Sequence, residues 1–331
     1  MRFASRALRL SGPAARRYST ATAAVKPSIA LLARIRKENE GVPMTLAKRA
    51  LVESNNDFDA AMAWLAEHAA QSGLAKQAKL TNRVARDGLV GIADLPLGSA
   101  IVEINSETDF VARSDIFRDL VHRSALTAHL LGRDDNAVPG TLAPLDIAAL
   151  STAPLLPRAD ATEAEPTTVD GMPVTIAGRV LECVGTLGEN LTFRRATGVA
   201  IADTTAMVSG AYVHGDKAQR LEGVGRIGAV VVLKGTHEPL DARHSKLAQQ
   251  LAQVIVGFNP PTVRELYTTP FAATTPFHTA DGVEEVTVAK VLEGAQVYVQ
   301  DFVRYEVGEG IEAQASVDFA EEVKRQVAAS A

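Results

Sequence analysis

The side chains in this sequence that could do chemistry are few and scattered. None of the seven histidines has a second His, a Cys or a carboxylate at the spacing that a metal site requires. The single cysteine, Cys183, falls on an apolar helical stripe with Ile176, Val180, Val184 and Leu187, which makes it a core residue rather than a nucleophile. Gly223-Val224-Gly225-Arg226-Ile227-Gly228 has the outline of a dinucleotide-binding turn, but that chemistry needs a helix N-terminus behind the glycines, and a strand-like run follows instead. Ser106, Asp109 and His122 have the residue types of a catalytic set, with no motif that would bring them together. With no Walker sequence either, neither catalysis nor nucleotide binding by the chain itself is expected, and no cofactor is.

The remaining candidate is a recognition element, the octet Ser106-Glu107-Thr108-Asp109-Phe110-Val111-Ala112-Arg113. Ala100 to Ile104 before it is rich in β-branched residues and reads as a strand. Phe117, Leu120, Val121, Ala125, Ala128 and Leu131 after it recur at helical spacing. The octet therefore sits on a strand-to-helix turn, where Ser106, Thr108, Asp109 and Ser114 have side-chain oxygens suited to the free N–H groups of a helix start. Phe110 is out of place there. Its ring either folds back onto the core as a staple or projects toward something else.

The elements around the octet suggest several modules. With 331 residues, 47% of them hydrophobic, the chain is long enough for two or three cores. A net charge of −5 argues against nucleic acid as a partner, and no apolar run approaches the roughly 18 residues of a membrane span. Residues 1–18 carry Arg2, Arg6, Arg9, Arg16 and Arg17 among small, hydroxyl and apolar residues, with no acid before Glu38, as a mitochondrial transit peptide does. Helical patterns over 28–38, 44–53 and from Phe58 predict a three-helix bundle within 27–72, resembling a ubiquitin-associated domain, followed by a linker at 73–88.

A hairpin and helix at 89–138 form a first α+β subdomain, a Pro- and Ala-rich connection covers 139–173, and a second subdomain occupies 174–313. In the second, strands at 206–214 and 227–234 and a helix through Leu247, Leu251, Val254 and Ile255 repeat the strand, strand, helix order. The expected class is thus α+β, a helical bundle followed by two related subdomains with antiparallel sheets. A long strand from Val297 to Val307 turns Val297, Val299, Val303, Tyr305 and Val307 to one core face, and an acidic helix at 316–327 lies within the tail at 314–331.

At Glu107-Thr108-Asp109-Phe110-Val111-Ala112-Arg113 the chain resembles the elongation factor Ts family, the nucleotide-exchange partners of elongation factor Tu. Arg83 to Val90, Leu187-Gly188-Glu189-Asn190-Leu191-Thr192-Phe193-Arg194-Arg195, Arg226 to Val232 and Phe302 to Glu312 are similar to further family segments, in the family's order. Nearly everything after residue 28 is covered. The resemblance implies that Asp109 and Phe110 enter the partner's G domain and disturb the elements that support its magnesium and β-phosphate. Thr108, Val111 and Ala112 would hold the wedge in place. It also implies a grip by the bundle around Met44 on the G domain, another around His214 on a β-domain, and a heterodimer. With the leader-like N-terminus, it implies a family member of the mitochondrial matrix. An adaptor that binds a partner through its bundle without exchange is the alternative, and would bind independently of nucleotide. Two departures from the family pattern are a single methionine, Met44, where a pair is common, and the residues 216–224 between His214 and Arg226.

Overall fold

The computed structural model describes residues 25–312, apart from 39–41, 43, 81–82, 132–137, 158–167, 170–171, 216–222, 237–238 and 272–285. The expected transit peptide and acidic C-terminal helix, and Gly41 and Pro43 between the first two helices, lie outside the described residues.

Three helices come first, α1 (Ile29–Glu38), α2 (Met44–Glu53) and α3 (Phe58–Leu80). Leu32 and Ile35, Ala47, Ala50 and Leu51, and Ala61 and Leu65 supply one apolar stripe each to a small shared core. The turn before α3 uses Asn55 and Asn56, both left-handed at φ 51° and 62°, a conformation that Asn tolerates better than most residues. The Asn56 side chain accepts the Ser28 N–H at 2.8 Å and donates to the Lys26 carbonyl at 2.9 Å, tying the chain's approach to α1 onto the turn. Asp57 accepts the Ala60 N–H at 2.9 Å as the cap of α3. The connector expected from residue 73, helical or flexible, begins as helix: α3 continues unbroken to Leu80, whose side chain enters the next core.

Next come the hairpin β1 (Asp87–Leu95) and β2 (Gly98–Ser106), the single turn α4 (Asp109–Ala112) and α5 (Asp115–Leu131). The connection carries short elements of its own: β3 (Ala143–Pro144), α6 (Ile147–Thr152), β4 (Thr168–Val169) and β5 (Met172–Pro173). They lead to α7 (Ile176–Leu187), closed by Gly188 in the left-handed region, and β6 (Thr192–Ala200). Then follow β7 (Met207–His214), β8 (Val224–Gly225), β9 (Ile227–Gly235), α8 (Ala242–Phe258), α9 (Val263–Thr268), α10 (Val288–Gly294) and β10 (Val297–Glu306). The larger sheet has the order β3-β6-β2-β1-β8 and the second the order β10-β9-β7, with antiparallel pairing throughout.

One expected division shifts. Residues 176–200, assigned by sequence to the second subdomain, belong to the first: β6 pairs with β2, and Ile176, Val180, Cys183 and Val184 of α7 pack into the first core. Burial there also pushes the Cys183 thiol up to about 12.

The two sheets stack face to face between layers of helix. Leu89, Ala100, Val102 and Ile104 face α5 and α7, whereas Val90, Ile92 and Ile101 of the same strands face Val230 and Val232 of the second sheet. Ala229, Val231 and Leu233 turn the other way, toward α8. The middle of β9, covered on both faces, reads as a continuous apolar run, whereas β2 is buried along its whole length with Ser99, Glu103 and Asn105 among its apolar residues. Helices close tightly on both sheets. A Cβ built on Gly210 would stand 2.5 Å from Ala248 Cβ and 2.6 Å from α8 backbone. Gly210→Ala is therefore expected to destabilise the fold by about 1–3 kcal/mol in denaturant titration. Gly257→Ala, on α8 with nothing within 4 Å of its added carbon, should be neutral or slightly stabilising.

β10 departs from simple alternation. A register shift between Val299 and Asp301 exchanges the faces of the strand, so Val297 and Val299 lie in the α8 core while Val303, Tyr305 and Val307 lie between the sheets. The five residues expected on one face are thus divided between two cores.

A buried carboxylate links the sheets. Glu103 on β2 is fully buried, and accepts from Arg194 Nη1 at 3.0 Å, Arg195 Nε, Asn105 Nδ2 at 3.0 Å and the Gly308 N–H at 2.8 Å. Burial alone would raise its pKa, but the Gly308 N–H, Asn105 and Arg195 together outweigh it and hold the carboxyl below its ordinary value. Arg195 also lies over the Tyr305 ring, 4.0 Å from its centroid.

Candidate partner-binding surface

The octet begins where β2 ends. Thr108 takes extended backbone angles, φ −126° and ψ 158°, and its hydroxyl accepts the Val111 N–H at 3.4 Å, making it the N-cap of α4. Ser114 plays the matching part for α5, accepting weakly from the Phe117 N–H at 3.4 Å while donating to the Val111 carbonyl at 2.7 Å. Val111 and Ala112 are 7% and 3% exposed and root the turn in the first core. Phe110, between the cap and these anchors, is 77% exposed. The ring is not a staple. It stands out from the turn while Val111 and Ala112 point in.

Asp109 does not act as a cap. Its carboxylate pairs with Arg113 Nη2 at 2.6 Å, one helical turn on. Ser106 likewise donates to the Thr108 carbonyl at 2.9 Å, and His122 Nδ1 is buried with no hydrogen-bond partner. The Ser106, Asp109 and His122 set does not assemble: the hydroxyl and the carboxylate are committed to other groups.

A second turn braces the first. Glu189, directly after the Gly188 cap of α7, accepts the Thr108 N–H at 3.0 Å with one oxygen and the Thr108 hydroxyl at 2.6 Å with the other. Reciprocally, Glu107 accepts the Asn190 N–H at 2.7 Å and the Arg83 guanidinium at 3.3 Å, and Asn190 Nδ2 donates to the Arg83 carbonyl at 2.8 Å. Sequence reasoning gave these groups no role. Their signal was that Arg83, Glu107, Glu189 and Asn190 all lie in the segments similar to the family, the last two immediately beyond a helix-ending glycine.

The remaining expected site residues divide. His214 is exposed at the end of β7, 3.3 Å from the Tyr212 hydroxyl through Nδ1. With Gly225 and Arg226 it forms one wall of a cleft of about 520 Å³ whose other wall includes Asp109, Arg113 and Arg118. The octet and the His214 strand end thus share one concavity at the junction of the two sheets. Met44 is not part of it. It begins α2 in the helical bundle, 41% exposed. Gly223 precedes the two-residue strand β8 and Gly225 ends it, and Arg226 leads on into β9, a strand and not a helix.

Phe110 is thus an exposed aromatic on a braced turn, beside a cleft. A model of the family described as "Elongation factor TS" matches residues 107–268, which begins within the octet and ends with α9. The chain is 32% identical to the mitochondrial elongation factor Ts of Coprinopsis cinerea over 93% of its own length and 97% of that protein's. It is 33% identical to elongation factor Ts of Methylorubrum populi over 87% of this chain and 94% of that protein, and 34% identical to that of Bartonella henselae over 68% and 61%. The chain belongs to the elongation factor Ts family.

Proposed function

We propose that this chain is the guanine-nucleotide exchange factor of mitochondrial translation. It binds elongation factor Tu in its GDP state as a heterodimer and promotes GDP release, and GTP then displaces it. The role is noncatalytic, because the work is done by binding energy and no bond in the nucleotide is made or broken. The observation that carries the reading is Phe110, 77% exposed on a turn whose flanking residues are anchored. Entering the partner's G domain, the ring and Asp109 would displace groups that support the bound magnesium and β-phosphate, weakening GDP by loss of charge neutralisation. Thr108, Val111 and Ala112 hold the wedge.

Met44 on a ubiquitin-associated-like bundle and His214 beside the cleft serve as further contacts. By linkage, whatever factor lowers GDP affinity must itself be bound more weakly when GDP is present, so the cycle resets. The run β6-β2-β1 within the five-stranded sheet and the three-stranded order β10-β9-β7 each place in the middle a strand that a long helix follows, which supports reading the core as two related subdomains. The arginine-rich, acid-free residues 1–18 and the fungal mitochondrial relative support a matrix location.

The test is release of labelled GDP from mitochondrial elongation factor Tu with and without the chain. Acceleration at stoichiometric amounts supports the reading, and none overturns it. Stable binding unaffected by GDP would favour an adaptor instead.

A further inference from the structure

We propose that Glu189 is a positioning residue for exchange: it completes the N-cap of α4 from across the fold and so fixes the direction in which Phe110 projects. The proposal rests on the wedge reading of Phe110.

α4 is four residues long, far below the length at which a helix holds itself together. Its shape must come from its ends. In a capping box the N-cap hydroxyl serves the N3 N–H while a Glu or Gln at N3 returns to the N-cap N–H. Here N3 is Val111, which has no polar group to return and is buried in the core. Glu189 supplies the missing half from 81 positions away, taking the Thr108 N–H at 3.0 Å. Its second oxygen takes the Thr108 hydroxyl at 2.6 Å, which leaves that oxygen's lone pairs aimed at the Val111 N–H. The hydroxyl is therefore oriented by one acid to act as an acceptor for the helix. Glu107 adds the reverse connection through the Asn190 N–H at 2.7 Å, so the two turns cannot slide past one another.

Phe110 follows Thr108 by two residues and has no packing of its own to define its position, being 77% exposed. A probe of this kind gains effect from being ordered before it meets its target, because ordering after contact subtracts from the binding energy left to distort the target. Glu189 provides that order through Thr108.

The experiment compares Glu189→Gln with Phe110→Ala in labelled-GDP release, recording the maximal rate at saturating factor and the concentration that gives half of it. Gln keeps the size of Glu but loses one acceptor, so the maximal rate should fall about three- to ten-fold, the equivalent of ordering one free side chain. The half-saturating concentration and the thermal midpoint should change little. Thr108→Val removes only the hydroxyl and should reduce the maximal rate in the same direction. If Glu189→Gln lowers the midpoint substantially, Thr108→Val becomes the deciding variant, and parental exchange by it overturns the proposal. Parental exchange by Glu189→Gln with Phe110→Ala impaired also overturns it, leaving the wedge intact. Parental exchange by Phe110→Ala removes the wedge reading and this proposal together.

Discussion

Phe110→Ala is expected to fold and melt like the parent chain yet to lose at least about 30-fold in the maximal rate of GDP release. The first half follows from exposure: at 77% accessible, the ring contributes little to the core, and substitutions at such positions seldom change stability by more than a few tenths of a kcal/mol. The second follows from the energetics of contact surfaces, where a centrally placed aromatic commonly carries about 2 kcal/mol or more, which is about 30-fold. Asp109→Ala should add a smaller loss. Its pair with Arg113 is largely solvated and contributes little to stability, but without it the Arg113 side chain is released into the cleft beside His214. Stopped-flow release of a fluorescent GDP analogue separates these effects from simple affinity, and a Phe110→Ala protein that exchanges at the parental rate would refute the wedge.

The largest stability effect should come from Glu103. Glu103→Ala leaves Arg194 and Arg195, whose side chains are 25% and 29% exposed, facing a gap without their counter-charge. Breaking a buried ion pair from one side costs about 3–5 kcal/mol, a large part of the stability of a typical domain. The pH dependence has a definite sign. The folded carboxyl is held below its ordinary value of 4.5, so at intermediate pH the folded state binds fewer protons than the unfolded one. Its stabilising contribution is present above the ordinary value and lost as pH falls through the folded one. Urea midpoints of the parent should therefore fall on acidification below that value, and those of Glu103→Gln should fall less. Asp94 works oppositely. Asp94 is exposed at the end of β1, but desolvation of its carboxyl by the neighbouring strand raises it, against bonds from Ser99, Ala211 and Gln249, so its contribution is present at low pH and fades as pH rises through the raised value. A Glu103→Gln comparison isolates the first effect because Asp94 is common to both proteins.

How far the chain could be read in advance varied with the source of each element's information. α2, α5, α7 and α8 announce themselves because each has one apolar stripe at helical spacing, and Met44–Glu53 matches its expected bounds to the residue. The octet's place between a strand and a helix was legible for the same reason. β6 was not recognised as a strand of the first sheet, because Thr192-Phe193-Arg194-Arg195 looks polar, and those arginines become half-buried only through Glu103, 91 and 92 positions earlier. The exchange of faces in β10 was equally hidden. An alternating run cannot show where one extra residue will be accommodated against a neighbouring strand. The brace at Glu189 depends on a meeting of two distant turns, which no local pattern encodes. Sequence could thus single out Phe110 and the adjacent Thr108, Val111 and Ala112, but not the brace that reaches them from Glu189.

The bond from the Gly308 N–H to Glu103 spans 205 positions. Its consequence concerns the order of assembly. A nascent chain that presents its N-terminal end first exposes the first sheet's strands long before residue 308 appears, so the acid at the centre of β2 can gain Asn105, Arg194 and Arg195 early but must leave the place of the Gly308 N–H to water until the chain beyond β10 arrives. Contacts so far apart in the chain form late, because the intervening loop must first be closed. The first sheet is accordingly the first to be made and among the last to be finished, and in pulse-labelling during refolding the amide protons of β2 should gain full protection in the same phase as those of β10.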